Sequence, residues 1–155
     1  MRMPGEPLIS VVVPTYGRPE QLGTCLKALR EQDLPLDQFE VIVVDDGSPE
    51  SPTGETKRIE GLDLTAIRQT HAGPAVARNA GAQRARGRFV AFTDDDCVPE
   101  PDWLSSLARR LTAAPDRLVG GRVVNGAPES LCATASQIVL DQAYAYHNTD
   151  PDDAR

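Results

Sequence analysis

The stretch LISVVVPTYGRPEQLGTCLKAL, residues 8–29, joins a run of mostly β-branched residues to a segment with helical periodicity. The run Leu8–Pro14 is apolar at nearly every position, which is typical of a strand covered on both faces of a parallel sheet. Pro19 suits the first turn of a helix, because its missing N–H has no intrahelical partner there. Apolar residues then recur at helical spacing, at Leu22, Cys25, Leu26 and Leu29. The stretch therefore predicts a strand followed by a helix packed on the sheet.

Four more apolar runs and three more helical segments follow this first unit. The runs predicted as strands are Val41–Asp46, Leu62–Ile67, Phe89–Asp96 and Leu118–Val124, and the predicted helices begin at Pro74, Pro101 and Ser130. The stretch Ser48–Gly61 is expected to be a loop with one or two poor helical turns. Strands that alternate with helices in this way form βαβ units. The sequence therefore predicts an α/β fold with a mostly parallel sheet flanked by helices.

The composition excludes several classes of protein. The chain has 155 residues and 40% hydrophobic residues, enough for one core, and its 16 Lys and Arg against 23 Asp and Glu give a net charge of −7. So acidic a chain is unsuited to binding nucleic acid through phosphates. Three cysteines without a CxxC pair favour neither a disulfide framework nor a zinc site. No apolar run approaches the roughly 20 residues of a membrane span. We expect a cytoplasmic domain, with a peripheral position on the inner membrane as the alternative.

Acidic residues follow two of the predicted strands at the point where each strand ends. Asp45 and Asp46 close the second run, and Asp94, Asp95 and Asp96 close the fourth. The carboxyl ends of parallel strands line the crevice in which open sheets bind ligands. Three adjacent carboxylates repel one another, and Mg²⁺ or Mn²⁺ would remove that repulsion by taking one or two of them together with diphosphate oxygens. The triplet predicts a metal site, and the alternative is a solvated turn or a helix N-cap region.

Three other residues at the same edge are candidates for nucleotide contacts. Asp46 could accept hydrogen bonds from a base or a ribose, although Asp-Gly is also a frequent turn dipeptide. Tyr16 could stack on a base or cap the core, and Arg78 could contact a phosphate or be a solvated helical charge. The sequence has no P-loop, no GxGxxG after the first strand and no GxSxG elbow.

Three blocks of the sequence together resemble the nucleotide-sugar-binding half of the inverting glycosyltransferase family 2. The blocks are SVVVPTYGRPEQLGTCLKALREQ, FEVIVVDDGSPE and GPAVARNAGAQRARGRFVAFTDDDCVPEPDWL, and they cover about Leu8 to Leu107. The region from Leu118 to His147 resembles the connecting strand and helix of bacterial members. The resemblance implies the Rossmann-like GT-A fold, with a UDP-sugar or a related donor lying across the strand ends.

The resemblance also implies roles for individual residues. Those expected around the donor nucleotide are Pro14, Thr15, Tyr16, Asp46, Asp94 and Asp95, and Arg78 joins them as the candidate for a phosphate contact named above. The DxD motif of the family maps onto the triplet 94–96, which assigns Asp96 to the Mg²⁺ or Mn²⁺ ion with Asp94 as a second ligand. Whether Asp94 or Asp95 serves the ribose and the metal-bound water stays open.

The general base of the family lies in a later segment, which we expect beyond Arg155. We therefore expect a nucleotide-sugar-binding domain over 1–126 and a connecting helix with a polar tail over 127–155, without the acceptor-binding half. The helix over 130–147 should expose its apolar face or use it in a homodimer. The expected reaction is metal-assisted transfer of a sugar to an acceptor hydroxyl with inversion. The alternatives are a nucleotide-sugar-binding module without turnover and a receiver-type Mg²⁺-binding domain.

Overall fold

A parallel sheet of four strands forms the centre of the fold. The strands are β1 (Ile9–Thr15), β2 (Phe39–Asp45), β3 (Leu64–Arg68) and β4 (Phe89–Phe92), and they are hydrogen-bonded in the order β3-β2-β1-β4. All three pairings are parallel. The chain places β2 and β3 on one side of β1 and β4 on the other side. The strand order therefore reverses between β1 and β4, and open sheets bind their ligands at such a switch point. The predicted α/β fold with a mostly parallel sheet is confirmed.

The computed structural model of the protein describes residues 6–52, 54 and 59–147. The chain divides into two units, Met1–Pro115 and Asp116–Arg155, which are taken separately. The polar tail predicted after His147 and part of the loop predicted over Ser48–Gly61 lie outside the described residues.

Four of the five predicted strands are present, with ends shifted by a few residues. β1 and β2 are buried at every position, whereas β3 is a half-exposed edge strand. β4 is shorter than predicted, so that the residues from Thr93 to Asp96 leave the sheet as a loop. The strand predicted over Leu118–Val124 is wrong, because this segment is neither strand nor helix and Leu118 is fully exposed. Gly120 and Gly121 interrupt the run, and glycine weakens the interior of a strand.

The four predicted helices are present. They are α1 (Pro19–Arg30), α2 (Pro74–Ala82), α3 (Trp103–Ala113) and α4 (Leu131–His147). The apolar stripe predicted for α1 is buried in full. Helix α2 ends earlier than the predicted stop at Gly87, and α3 begins after the predicted Pro101, because the Trp103 N–H closes a turn on the Glu100 carbonyl at 3.0 Å.

Helix α4 belongs to the second unit and exposes apolar side chains. Leu131, Ile138 and Val139 are each more than half exposed, as predicted for the apolar face of this helix. Its use in a homodimer stays a prediction. Among the described residues, no helix has the length and apolar character needed to cross a bilayer.

A buried carboxylate fastens the amino ends of the strands, at the edge opposite the switch point. Glu40 in β2 accepts hydrogen bonds from Ser10 Oγ at 2.6 Å, from the Arg86 N–H at 2.7 Å and from Arg86 Nε at 2.8 Å. Burial alone would raise the pKa of Glu40, but these hydrogen bonds and the charge of Arg86 hold the pKa below its ordinary value. The network ties the turn before β4 to the two central strands.

Helix α2 packs directly on the sheet because small residues face β1 and β2. Ala77 is fully buried in a cluster with Val12 and Val44. A Cβ atom at Gly81 would lie 2.3 Å from Cγ1 of Val12 and 3.1 Å from Cγ2 of Val44. Only glycine therefore permits this approach, which brings the amino-terminal half of α2 to the edge where β1 ends.

Replacing Gly81 with alanine should destabilise the fold by about 1–3 kcal/mol, the usual cost of forcing one extra carbon into a packed core. Chemical denaturation followed by circular dichroism measures this loss. Gly120→Ala is the matched control, because a Cβ atom there meets nothing within 4 Å. Equal stabilities for the two variants would contradict the packing described for α2.

Candidate functional site

A cleft of about 360 Å³ opens at the carboxyl ends of β1 and β4. Sites for small molecules commonly have volumes of about 300–1,000 Å³. The cleft is lined by Pro14, Thr15, Tyr16, Arg18, Asp46, His71, Pro74, Arg78, Asp94, Asp95 and Asp96. The structure therefore brings together every residue that the sequence predicts at the donor or the metal. It adds two charged or titratable residues that the sequence analysis missed, Arg18 and His71.

The aspartate triplet divides into one inward and two outward carboxylates. Asp95 is almost fully buried, and its Oδ2 accepts a hydrogen bond from Thr15 Oγ1 at 2.7 Å. The side chains of Asp94 and Asp96 are 52% and 53% exposed. Because neighbouring residues of this loop point in different directions, Asp95 ties the loop to β1 while Asp94 and Asp96 stay available at the cleft.

Two arginines provide the positive charge that the triplet needs. Arg18 Nη1 lies 3.0 Å from Oδ2 of Asp96 and 3.5 Å from Oδ1 of Asp95. Arg78, on helix α2, forms an ion pair with Asp94. Arg78 is thus a paired charge at the rim of the cleft, and its contact with a phosphate stays a prediction. A basic residue directly after the turn that ends β1 is the signal that could have identified Arg18.

Asp46 organises the loop that leads into helix α2. Its carboxylate accepts hydrogen bonds from the Ala72 N–H at 2.9 Å, the Gly73 N–H at 2.8 Å and Gln69 Nε2 at 2.7 Å, and His71 Nδ1 lies 2.8 Å from its Oδ2. Burial alone would raise the pKa of this carboxyl. The hydrogen bonds and the nearby His71 instead hold the pKa of Asp46 below its ordinary value.

Two aromatic rings form one wall of the cleft. The ring centroids of Tyr16 and His71 are 4.4 Å apart, with an angle of 34° between their planes. Tyr16 is 47% exposed, so it does not cap the core. The exposed part of its ring can contact a flat ligand in the cleft, since aromatic rings favour offset stacking.

Asp45 does not belong to the cleft, although the sequence analysis grouped it with the other acids. Successive side chains of a strand point to opposite faces, and Asp45 is buried beneath the loop that follows β2. Its Oδ1 accepts a hydrogen bond from the Ser48 N–H at 2.9 Å. Ser48 Oγ in turn accepts a hydrogen bond from the Gly17 N–H at 2.8 Å. Gly17 has a φ of +64°, which favours glycine, so Asp45 supports the turn that carries Tyr16 and Arg18.

The donor atoms of the triplet suit a hard divalent cation. The described residues contain no group of three carboxylate, histidine or cysteine side chains that could hold an ion by themselves. Mg²⁺ in a nucleotide site usually needs only one or two carboxylates, because phosphate oxygens and water complete its shell. Asp94 and Asp96 meet this requirement, whereas Asp95 is engaged with Thr15.

The chain matches the model of the family described as "Glycosyl transferase family 2" over residues 10–151. It is 35% identical over 122 residues to the glycosyltransferase AglE of Haloferax volcanii. The matched region covers 76% of this chain and 40% of AglE. It is 34% identical over 105 residues to the putative glycosyltransferase EpsH of Bacillus subtilis. This matched region covers 66% of this chain and 30% of EpsH.

Solved structures give the same result for the fold. The crystal structure of Staphylococcus aureus TarS 1–349 in complex with UDP-GlcNAc superposes with a TM-score of 0.65 at 31% identity, covering 75% of this chain and 36% of that one. The mannosyltransferase PcManGT from Pyrobaculum calidifontis, in complex with GDP-Man and Mn²⁺, superposes with a TM-score of 0.62 at 33% identity. This superposition covers 74% of this chain and 34% of the PcManGT chain. The sheet and its helices are those of the GT-A fold. In these comparisons the chain spans 40% or less of each relative's own length.

Asp46→Asn should lower the free energy of unfolding by about 1.5–3 kcal/mol near pH 7, because hydrogen bonds to a charged acceptor are lost. The pKa of Asp46 is lower in the folded than in the unfolded protein. The carboxylate therefore contributes stability that is present above the unfolded value of about 3.9 and is lost as the pH falls through the folded value. The stability difference between wild type and variant should accordingly narrow in acid.

Urea unfolding at several pH values measures that difference, and Asp116→Asn, at an exposed position, is the control. A difference that is independent of pH, or one matched by the control, would contradict the account of Asp46.

Proposed function

The chain belongs to glycosyl transferase family 2, and we propose that its cleft binds the nucleoside diphosphate of a sugar donor. The observation that carries this proposal is the meeting of Thr15, Tyr16 and the triplet 94–96 at the switch point of the sheet. The names of solved relatives support it, because they include complexes with UDP-GlcNAc, UDP and GDP-Man. We take a UDP-sugar as the first donor to test.

We propose that Asp94-Asp95-Asp96 serves as the DxD motif, with Asp96 and Asp94 as ligands of Mg²⁺ or Mn²⁺. When bound, such an ion stabilises the negative charge that grows on a leaving diphosphate. Thr15 keeps Asp95 turned towards β1, which leaves its two neighbours for the ion and for the ribose. The Mn²⁺ in the complex of PcManGT supports the choice of metal.

We propose that the base lies against Tyr16 and reaches Asp46. The carboxylate of Asp46 already faces four donors, of which the backbone N–H groups of Ala72 and Gly73 are fixed. A base N–H can therefore bind Asp46 only if the side chain of Gln69 or His71 moves aside. This step would make the loop that Asp46 organises part of base recognition.

We propose that the reaction served by this donor site is transfer of the sugar to an acceptor hydroxyl with inversion. Inversion needs a general base for the acceptor proton, and we assign none here, since each carboxylate that lines the cleft has another role. A nucleotide-sugar-binding module without turnover is thus the second candidate.

Membership of the family excludes the receiver-type domain. We also propose that the nucleotide-sugar-binding domain ends at residue 126. We propose a cytoplasmic location as well, which the free thiols of Cys25 and Cys97 support.

The binding proposal predicts that UDP binds in the presence of Mn²⁺ and far more weakly without it. Asp96→Ala should weaken UDP binding in Mn²⁺ by about tenfold or more, because an ion that bridges protein and diphosphate loses a ligand. Isothermal titration calorimetry with UDP and with GDP measures these affinities and shows which nucleotide is preferred.

Asp102→Ala is the matched control, because Asp102 is an exposed acid at the start of helix α3 and does not line the cleft. Equal losses in the two variants would show that the metal assignment is wrong. Absence of binding for both nucleotides, with and without Mn²⁺, would overturn the proposed function.

A further inference from the structure

The two arginines of the cleft lie where a cation would have to bind. Arg18 contacts Asp96, and Arg78 contacts Asp94, so both proposed metal ligands are paired with guanidinium groups in the structure. Each guanidinium occupies one oxygen of its carboxylate. A divalent cation bound at the remaining oxygens would lie beside these positive groups and repel them, so its binding opposes the present positions of the arginines.

The contact between Arg18 and Asp96 is easily broken. Half of the Arg18 side chain and half of the Asp96 side chain are exposed, and exposed ion pairs contribute only about 0–1 kcal/mol. A guanidinium that leaves a carboxylate has a strong alternative partner in a diphosphate, which it can bind through two parallel hydrogen bonds. When a diphosphate binds together with the cation, its hydrogen bonds to the arginine therefore replace those that the arginine made to the carboxylate.

The backbone of Arg18 is fixed while its side chain is free to change partner. The carbonyl of Arg18 accepts a hydrogen bond from the Leu22 N–H at 3.0 Å, in the first turn of helix α1. The preceding Gly17 N–H is bound to Ser48 Oγ at 2.8 Å. The guanidinium thus moves about a fixed point at the rim of the cleft, within reach of Asp96 and of a ligand bound beside it.

Resting on the proposed function, we propose that Arg18 couples the binding of the cation to the binding of the diphosphate. In the metal-free protein it neutralises Asp96 and competes with the cation. When cation and nucleotide bind together, the cation takes Asp96 and Arg18 turns to the diphosphate. The cation alone must displace Arg18 without compensation, so each ligand should strengthen the binding of the other.

The test is a thermodynamic cycle on wild type, Arg18→Ala and Arg18→Lys. Free Mn²⁺ is followed by electron paramagnetic resonance with and without saturating UDP, and UDP affinity is measured by calorimetry with and without Mn²⁺. Because coupling between two ligands commonly amounts to about 5–150-fold, we expect UDP to tighten Mn²⁺ binding to the wild type within that range.

In Arg18→Ala, Mn²⁺ alone should bind several-fold more tightly than to the wild type, and the strengthening by UDP should shrink. Arg18→Lys should keep part of the coupling, since it retains the charge but not the two-point contact. Arg109→Ala is the matched control, because Arg109 lies on an exposed part of helix α3 and contacts Ser106 at 3.3 Å. It should behave as the wild type does.

The outcomes separate the two proposals. If the wild type binds Mn²⁺ and UDP together but Arg18→Ala shows the same coupling, or binds Mn²⁺ alone more weakly, the role of Arg18 is wrong and the proposed function stands. If the wild type binds neither Mn²⁺ nor UDP in any combination, the proposed function fails and this inference fails with it. Unchanged thermal unfolding of the variants shows that the comparison concerns binding and not folding.

Discussion

Three consecutive carboxylates share one loop at the end of β4, and each of them contacts a hydroxyl or guanidinium group from another segment, which offsets their mutual repulsion. Asp95 turns inward to the hydroxyl of Thr15, and the flanking acids turn outward to Arg18 and Arg78. Beneath the loop, Cys25 Sγ lies 3.6 Å from the carbonyl oxygen of Asp94. Burial, and then the surrounding negative charge, raises the pKa of this thiol to about 12, so that no further charge is added below the triplet.

The rest of the fold supplies these partners to the triplet. β1 ends at Thr15 and passes into the turn at Gly17, which Ser48 and Asp45 hold from the adjacent strand. Helix α2 brings Arg78 from the other side, because Gly81 and Ala77 let it lie directly on the central strands. A cleft with alternating charges at a switch point is thus a consequence of the strand order 3-2-1-4 and of a few small residues.

Much of the fold could be predicted from the sequence, because β1 and β2 are buried on both faces and read as unbroken apolar runs. The strand prediction for Leu118–Val124 rests on the same kind of apolar run and is wrong. An apolar pattern alone does not show that a neighbouring strand is available to pair with it. The cleft residues could be predicted because strand ends converge in a parallel sheet. His71 could not, because its place depends on the loop that Asp46 organises. Arg18 is signalled only by its position directly after the turn that ends β1.

The central claim is that a nucleoside diphosphate binds across the carboxyl ends of β1 and β4. The most direct measurement is a two-dimensional ¹H–¹⁵N NMR titration of the labelled protein with UDP and Mg²⁺. The account predicts that the largest shifts fall on the amides of Tyr16, Ala72 and Gly73 and of the triplet 94–96. Shifts concentrated instead around the outer edge of the sheet, at Ser51, Ala66 and Arg68, would contradict it.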